Sequence, residues 1–155
     1  MNRQFNNQPL VSIIMNCYNG EAYLHESIKS VLGQKYENWE LIFWDNRSED
    51  KSAEIFKSYN DKRFKYYHAP KHTLLYEARN EAIKKSSGDF IAFLDTDDFW
   101  EKDKLELQLP PFKDPKVGVV YGNFFVVNEK LNTKKIFLKK KKPKGFVLDD
   151  LLKDY

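Results

Sequence analysis

The chain has 155 residues, 41% of them hydrophobic and 32% charged, with a net charge of +3. That length suits one compact domain with a real core, and so mild a charge argues against a nucleic-acid partner. The single cysteine, Cys17, excludes an internal disulfide framework and fits a reducing compartment, and neither a signal peptide nor an uninterrupted membrane span is visible, so a cytoplasmic protein is expected.

Residues 11–15 (V-S-I-I-M) form an apolar, β-branched-rich run of the kind that makes a strand buried on both faces, and Asn19 and Gly20 break it. Leu24, Ile28, Val31 and Leu32 then recur at helical spacing, which predicts a helix over residues 21–34. Residues 40–44 (E-L-I-F-W) read as the next strand. Ser48 is expected to cap a second helix, with Glu49 and Asp50 in its first turn and Ile55, Phe56 and Tyr59 on its apolar face. A weaker strand follows over residues 64–67. Leu75, Ala78 and Ala82 mark a third helix, with Lys84 and Lys85 in its last turn and Gly88 at its end. Residues 90–94 are the fourth strand, and residues 104–109 a short helix stopped by Pro110 and Pro111. Residues 117–127 are strand-rich, with a bend at Gly122 and Asn123. Strands alternating with helices predict an α/β fold, a mostly parallel sheet flanked by helices.

The fourth strand ends abruptly in Asp95, Asp97 and Asp98. Carboxylates gathered at the end of a buried strand repel one another unless a cation or hydrogen-bond donors sit among them. Oxygen-rich clusters suit hard ions such as Mn²⁺ or Mg²⁺, which take one or two carboxylates and complete their shell with substrate phosphates. Ligands of parallel sheets bind beyond the carboxyl ends of the strands. Residues 16–19, 45–48 and 95–98 should therefore meet at one rim. No glycine-rich phosphate loop of the dehydrogenase or P-loop type follows the first strand. His25, His68 and His72 lack metal-ligand spacing. Cys17 reads as a small buried residue. Trp39, Trp44 and Trp100 read as core or rim packing.

Four ordered blocks resemble the family 2 glycosyltransferases, which have the Rossmann-like GT-A fold: P-L-V-S-I-I-M-N-C-Y-N-G at 9–20, W-E-L-I-F-W-D-N-R-S-E-D at 39–50, A-R-N-E-A-I-K-K-S-S-G-D-F-I-A-F-L-D-T-D-D at 78–98, with its D-x-D signature, and F-W-E-K-D-K-L-E-L-Q-L at 99–109. The resemblance implies that Asn16 contacts the nucleobase or ribose and that Tyr18, in the Y-N turn, is nucleotide-binding. It implies that Asp45 and Asn46 hold the base and that Arg79 borders the nucleotide pocket. It also implies that Asp95 contacts ribose or metal, that Asp97 is the principal metal ligand and that Asp98 anchors the site from behind. Many members have aspartate at the position of Asn46; asparagine can donate as well as accept.

The implied function is metal-dependent, inverting transfer of a sugar from a nucleotide-diphosphate donor, expected to be UDP-linked, to a hydroxyl of a glycan or lipid-linked glycan. The alternative is a non-catalytic nucleotide-sugar or metal-binding module. Residues 1–127 are expected to be the nucleotide-sugar-binding core. Residues 128–155 are expected to be a lysine-rich segment and the start of an acceptor-side region. Within them Lys134, Lys135, Lys139, Lys140, Lys141, Lys142 and Lys144 flank Ile136, Phe137 and Leu138, a pattern suited to peripheral contact with the inner face of a membrane. The family's general base is a carboxylate far past the D-x-D. Asp149 and Asp150 come too early for it, so the chain is expected to be the donor-binding part of a longer protein that does not catalyse transfer alone.

Overall fold

The fold is given by a computed structural model, which describes residues 8–128, 133–137 and 145. Four parallel strands form one sheet in the order β3-β2-β1-β4: β1 Val11–Cys17, β2 Trp39–Asp45, β3 Phe64–His68 and β4 Phe90–Phe93. Helices α1 Leu24–Leu32, α2 Ser52–Ser58 and α3 Leu75–Ile83 connect them in turn, and α4 Lys104–Gln108 leads into a 3₁₀ turn at Pro110–Lys113. Every residue of β1 and β2 is buried, which is why neither strand alternates polar and apolar side chains.

The two faces of the sheet bury different partners. Val11, Ile13, Met15, Leu41 and Phe43 pack with Leu24, Ile28 and Val31 of α1, Phe56 of α2 and Leu105 of α4. Ile14, Ile42 and Trp44 face the other way, against Ala69 and against Ala78 and Ala82 of α3. Burying each such large apolar side chain contributes about 1.5–3 kcal/mol. The alanines let α3 lie close to the sheet, and this helix carries Arg79.

Several elements depart from the sequence reading. Helix α1 starts at Leu24, because residues 21–23 form a turn in which Glu21 Oε2 accepts the Lys51 amide at 2.8 Å. Ser48 caps no helix: α2 begins at Ser52, whose amide donates to Asp50 Oδ1 at 2.9 Å. Gly88 does not end α3, whose C-cap is Lys84. Gly88 is needed for close approach instead, since a Cβ there would sit 2.6 Å from the Ser12 amide nitrogen. Residues 117–124 carry no strand.

Residues 1–118 and 119–155 form separate compact units. In the second, β5 Phe125–Asn128 pairs antiparallel with β6 Thr133–Ile136. The Phe124 and Phe137 rings stack at 4.5 Å, and Lys134 Nζ lies 4.2 Å from the Phe125 ring centroid. Lys139 to Lys144, Asp149 and Asp150 lie outside the described residues. No helix among the described residues is long and apolar enough to cross a membrane.

Candidate functional site

Because β1 to β4 are parallel, their carboxyl ends share one rim. Register pairs Cys17 with Asp45 and Asp45 with His68, while β4 joins β1 on the opposite side from β2. The strand order therefore reverses between β1 and β4, the place where open α/β sheets bind ligands. Gly20, after β1, lies against Thr96, the middle residue of the D-T-D run: a Cβ on Gly20 would stand 2.9 Å from Thr96 Oγ1. Its missing side chain lets the first and last of these loops touch.

The loops after β1 and β2 are laced together. Asn19 N donates to Ser48 Oγ, Glu49 N to Asn19 Oδ1, Gly20 N to Ser52 Oγ and Glu21 N to Asp50 Oδ2, all at 2.8–3.1 Å. Asn19 and Arg47 adopt φ of 53° and 72°. Left-handed backbone is tolerated by asparagine but costs arginine about 1 kcal/mol, so the lacing holds strain beside the rim.

Asn16, one residue before the end of β1, is buried at 9% exposure, and neither its Oδ1 nor its Nδ2 has a hydrogen-bond partner. Leaving a buried polar group unpaired costs about 1–3 kcal/mol, so an orphaned carboxamide at a ligand rim points to a polar ligand edge. Tyr18 is half exposed, and its ring centroid lies 4.3 Å from that of His72. Asp45 is fully buried: Oδ1 accepts the Ser48 amide at 2.7 Å and Oδ2 the Tyr66 hydroxyl at 2.6 Å. Burial and the Asp45 carboxylate push the Tyr66 phenol well above its usual range. Asp45 thus supports the rim from beneath. Asn46, also buried, is bonded through its side chain to Thr73.

Across the rim, Arg79 of α3 donates to Asp95 Oδ1 at 2.6 Å, and its guanidinium carbon is 5.5 Å from the Phe93 ring centroid. Both partners are partly exposed, so the pair adds only about 0–1 kcal/mol to stability; its effect is to fix the direction of Asp95. Asp98 N donates to Asp95 O at 3.1 Å, closing the turn that carries Asp97. Burial, with Asp97 and Asp95 nearby, pushes the Asp98 carboxyl above its usual range. Among the described residues no three His, Cys, Asp or Glu side chains gather closely enough to enclose a metal ion by themselves. Crowded hard oxygens fit a divalent cation that takes one or two protein ligands and finds the rest on a phosphate chain.

The structure thus brings Asn16, Tyr18, Asp45, Asn46, Arg79, Asp95 and Asp97 to one end of one sheet. The sequence did not single out Thr73 or Tyr66, and it marked Gly20 only as a strand breaker; the roles of all three depend on partners far along the chain. His72 was not counted as a site residue either. Lys104 stands after this loop, with Nζ 4.2 Å from the Trp100 ring centroid, and burial lowers its ammonium to about 8.

Comparison with known proteins shows the family of this chain. The model of the family described as Glycosyl transferase family 2 matches residues 12–153. This chain belongs to glycosyltransferase family 2. It is 45% identical over 120 residues to an uncharacterized glycosyltransferase of Haemophilus influenzae, covering 76% of this chain and 48% of that protein. It is 42% identical over 119 residues to the Escherichia coli UDP-Glc:alpha-D-GlcNAc-diphosphoundecaprenol beta-1,3-glucosyltransferase WfgD, covering 77% and 47%. The chain thus spans about half the length of the curated relatives it matches. Among solved structures, TarS 1-349 of S. aureus in complex with UDP-GlcNAc superposes with a TM-score of 0.61 at 28% identity, covering 68% of this chain and 31% of that one. The fold is therefore the GT-A fold of the family.

Proposed function

We propose that this family 2 chain forms the donor side of a glycosyltransferase that uses a UDP-sugar and a divalent cation, Mn²⁺ or Mg²⁺, and transfers the sugar with inversion to a glycan or lipid-linked glycan. The observation that carries the reading is the meeting of the β1, β2 and β4 ends at the reversal of strand order. There an unpaired carboxamide stands at the rim that also bears a crowded carboxylate turn. TarS in complex with UDP-GlcNAc favours a uridine donor. The name of WfgD, with its UDP-glucose donor and diphosphoundecaprenol-linked acceptor, favours a lipid-carried acceptor. Such an acceptor would give the lysine-rich segment an anionic surface to meet, at about 1 kcal/mol per lysine near it.

In this reading Asn16 offers one donor and one acceptor to the base or ribose, and Tyr18 presents a flat ring to it. Asp45 fixes the floor through Ser48 and Tyr66. Arg79 aims Asp95 at the ribose or the cation. Asp97, with Asp95, would hold the cation, which when bound neutralises charge on the departing diphosphate. The sugar carbon would pass through an oxocarbenium-like state, as in glycoside hydrolysis.

Calorimetric titration with UDP, GDP and TDP, with and without Mn²⁺, tests the reading. UDP is expected to bind most tightly and at least about tenfold more tightly with the metal, a difference of about 1.4 kcal/mol. Binding of none of the three would refute a donor site.

A further inference from the structure

Residues 95–105, which include the D-T-D-D turn, are bonded to α1 and its C-terminal end at two places. At the far one Gln34, buried just past α1, uses both ends of its carboxamide: Nε2 donates to Glu101 O at 2.8 Å and to Ser30 O at 3.1 Å, and Oε1 accepts Leu105 N at 3.2 Å. Lys35 N donates to Lys102 O at 2.8 Å beside it. At the near one Ser27 of α1, itself buried, donates from Oγ to Asp95 O at 3.3 Å. That carbonyl is the one that accepts Asp98 N and closes the turn. Gly20 opens α1, its carbonyl accepting Leu24 N at 3.2 Å. A Cβ on Gly20 would meet Thr96 Oγ1 at 2.9 Å, Cys17 Sγ at 3.0 Å and Thr96 Cβ at 3.1 Å. Gly20 has no left-handed φ, so what it supplies here is space.

We propose that Gly20 and Ser27 are positioning residues for the metal-binding turn: α1 sets where Asp97 stands, by receiving Thr96 against Gly20 and the Asp95 carbonyl on Ser27. The proposal rests on the divalent-cation reading above and deepens it. Metal ions hold their oxygens to within about 0.2 Å, so a site with only one or two protein ligands depends on the frame that carries them. Arg79 fixes the Asp95 carboxylate. Gly20 and Ser27 fix the backbone beneath it. A methyl on Gly20 would press on Thr96; the hydroxyl can turn aside, but the Thr96 Cβ cannot, so the turn itself must shift. Gln34 holds the segment only from residue 101 onward.

The test compares Gly20→Ala, Ser27→Ala, Thr96→Gly, the double variant Gly20→Ala/Thr96→Gly and, as a control, Gln34→Met, each in the whole chain. Three properties are measured: hydrogen exchange of the Asp98 amide without ligand, calorimetric affinity for UDP with Mn²⁺ and in chelator, and urea unfolding. Gly20→Ala is expected to cut the gain in affinity from Mn²⁺ about tenfold, as a displaced ligand does, and Ser27→Ala about threefold, the worth of one hydrogen bond. Both should speed Asp98 exchange and leave affinity in chelator as it was. Thr96→Gly should restore much of what Gly20→Ala loses, a non-additivity expected only of groups in contact. Gln34→Met should unfold at lower urea yet keep the full gain from Mn²⁺. An equal loss with and without Mn²⁺, additive effects at positions 20 and 96, or the same loss in Gln34→Met overturns the proposal. If the unaltered chain gains no UDP affinity from Mn²⁺, the cation reading falls; Asp98 exchange unchanged in both Gly20→Ala and Ser27→Ala overturns the proposal on its own account.

Discussion

Asp97→Ala is expected to remove the manganese-dependent part of UDP binding, a loss of about a hundredfold or more, near 2.7 kcal/mol. Affinity measured without metal should change little. The reason lies in the turn. Asp95 is already tied to Arg79, and the Asp98 carboxyl is raised above its usual range by burial and by its two neighbours, Asp97 and Asp95. Asp97 is exposed at the tip. It is the carboxylate best placed to meet a cation arriving with a diphosphate. Asp95→Asn should act differently, because it also releases Arg79 and so should weaken binding both with and without Mn²⁺. Titration of the two variants with UDP in manganese and in chelator separates these effects. If Asp97→Ala kept the full manganese dependence, the assignment of the metal ligand would be wrong.

Glu40 is expected to make the fold sensitive to acid. It lies buried at the amino-terminal side of the sheet, away from the donor rim. Its carboxylate accepts Ser12 Oγ at 2.6 Å, Ser87 N at 2.7 Å and Ser87 Oγ at 3.0 Å, and it pairs with Lys65 Nζ at 2.5 Å. Ser12 Oγ in turn accepts the Gly88 amide, so the cluster fastens the turn before β4 to β1 and β2. Burial by itself would raise the carboxyl, but Lys65, Ser12 and Ser87 outweigh it and bring it from its usual 4.5 to about 2. A carboxyl lowered on folding gives stability that is present above its unfolded value and is lost as pH falls toward its folded value. The window here is pH 4.5 to 2, and the amount is about 2–3 kcal/mol, reduced somewhat because the Lys65 ammonium is partly in water. Glu40→Ala should cost about 3 kcal/mol at neutral pH. Glu40→Gln should flatten the acid dependence of urea unfolding between those limits. Parallel pH profiles for Glu40→Gln and the unaltered protein would show that the cluster does not titrate in this way.

The legible parts of the sequence are those set by local patterning. Apart from Ser12 and Glu40, residues 11–15 and 40–44 are apolar without alternation, and both lie in fully buried central strands. Ala78 and Ala82, four residues apart, marked the face on which α3 meets the sheet. The D-T-D-D run stood out because charge at the end of an apolar strand is costly wherever it occurs. What stayed hidden depends on partners elsewhere in the chain. Ser48 and Asp50 looked like the start of a helix because hydroxyls and carboxylates favour that position. Ser48 Oγ and Asp50 Oδ2 instead accept the Asn19 and Glu21 amides, an arrangement no local window contains. Gly88 looked like a helix terminator, whereas its requirement comes from β1 passing close by. The run at 117–127 has the β-branched and aromatic residues of a strand, yet only its end pairs. Strand formation needs a partner edge, and Phe125 to Asn128 find theirs in Thr133 to Ile136.

The same limit explains the site. Strand-end position and the four family-like blocks together nominated Asn16, Tyr18, Asp45, Asn46, Arg79, Asp95 and Asp97. They did not separate side chains that face a ligand from those that hold the frame. Asp45 is spent on Ser48 and Tyr66, and Asn46 on Thr73, 27 residues away. Asn16, with the same functional group as Asn46, is unspent. Only the three-dimensional arrangement distinguishes the two.

Crystals grown with UDP and manganese, measured at the manganese absorption edge, test the central claim most directly. One anomalous peak is expected at about 2.1–2.2 Å from an Asp97 carboxylate oxygen, shared with the UDP pyrophosphate, as hard-cation coordination requires. A peak lying away from the 95–98 turn, or UDP bound with no metal peak there, would contradict it.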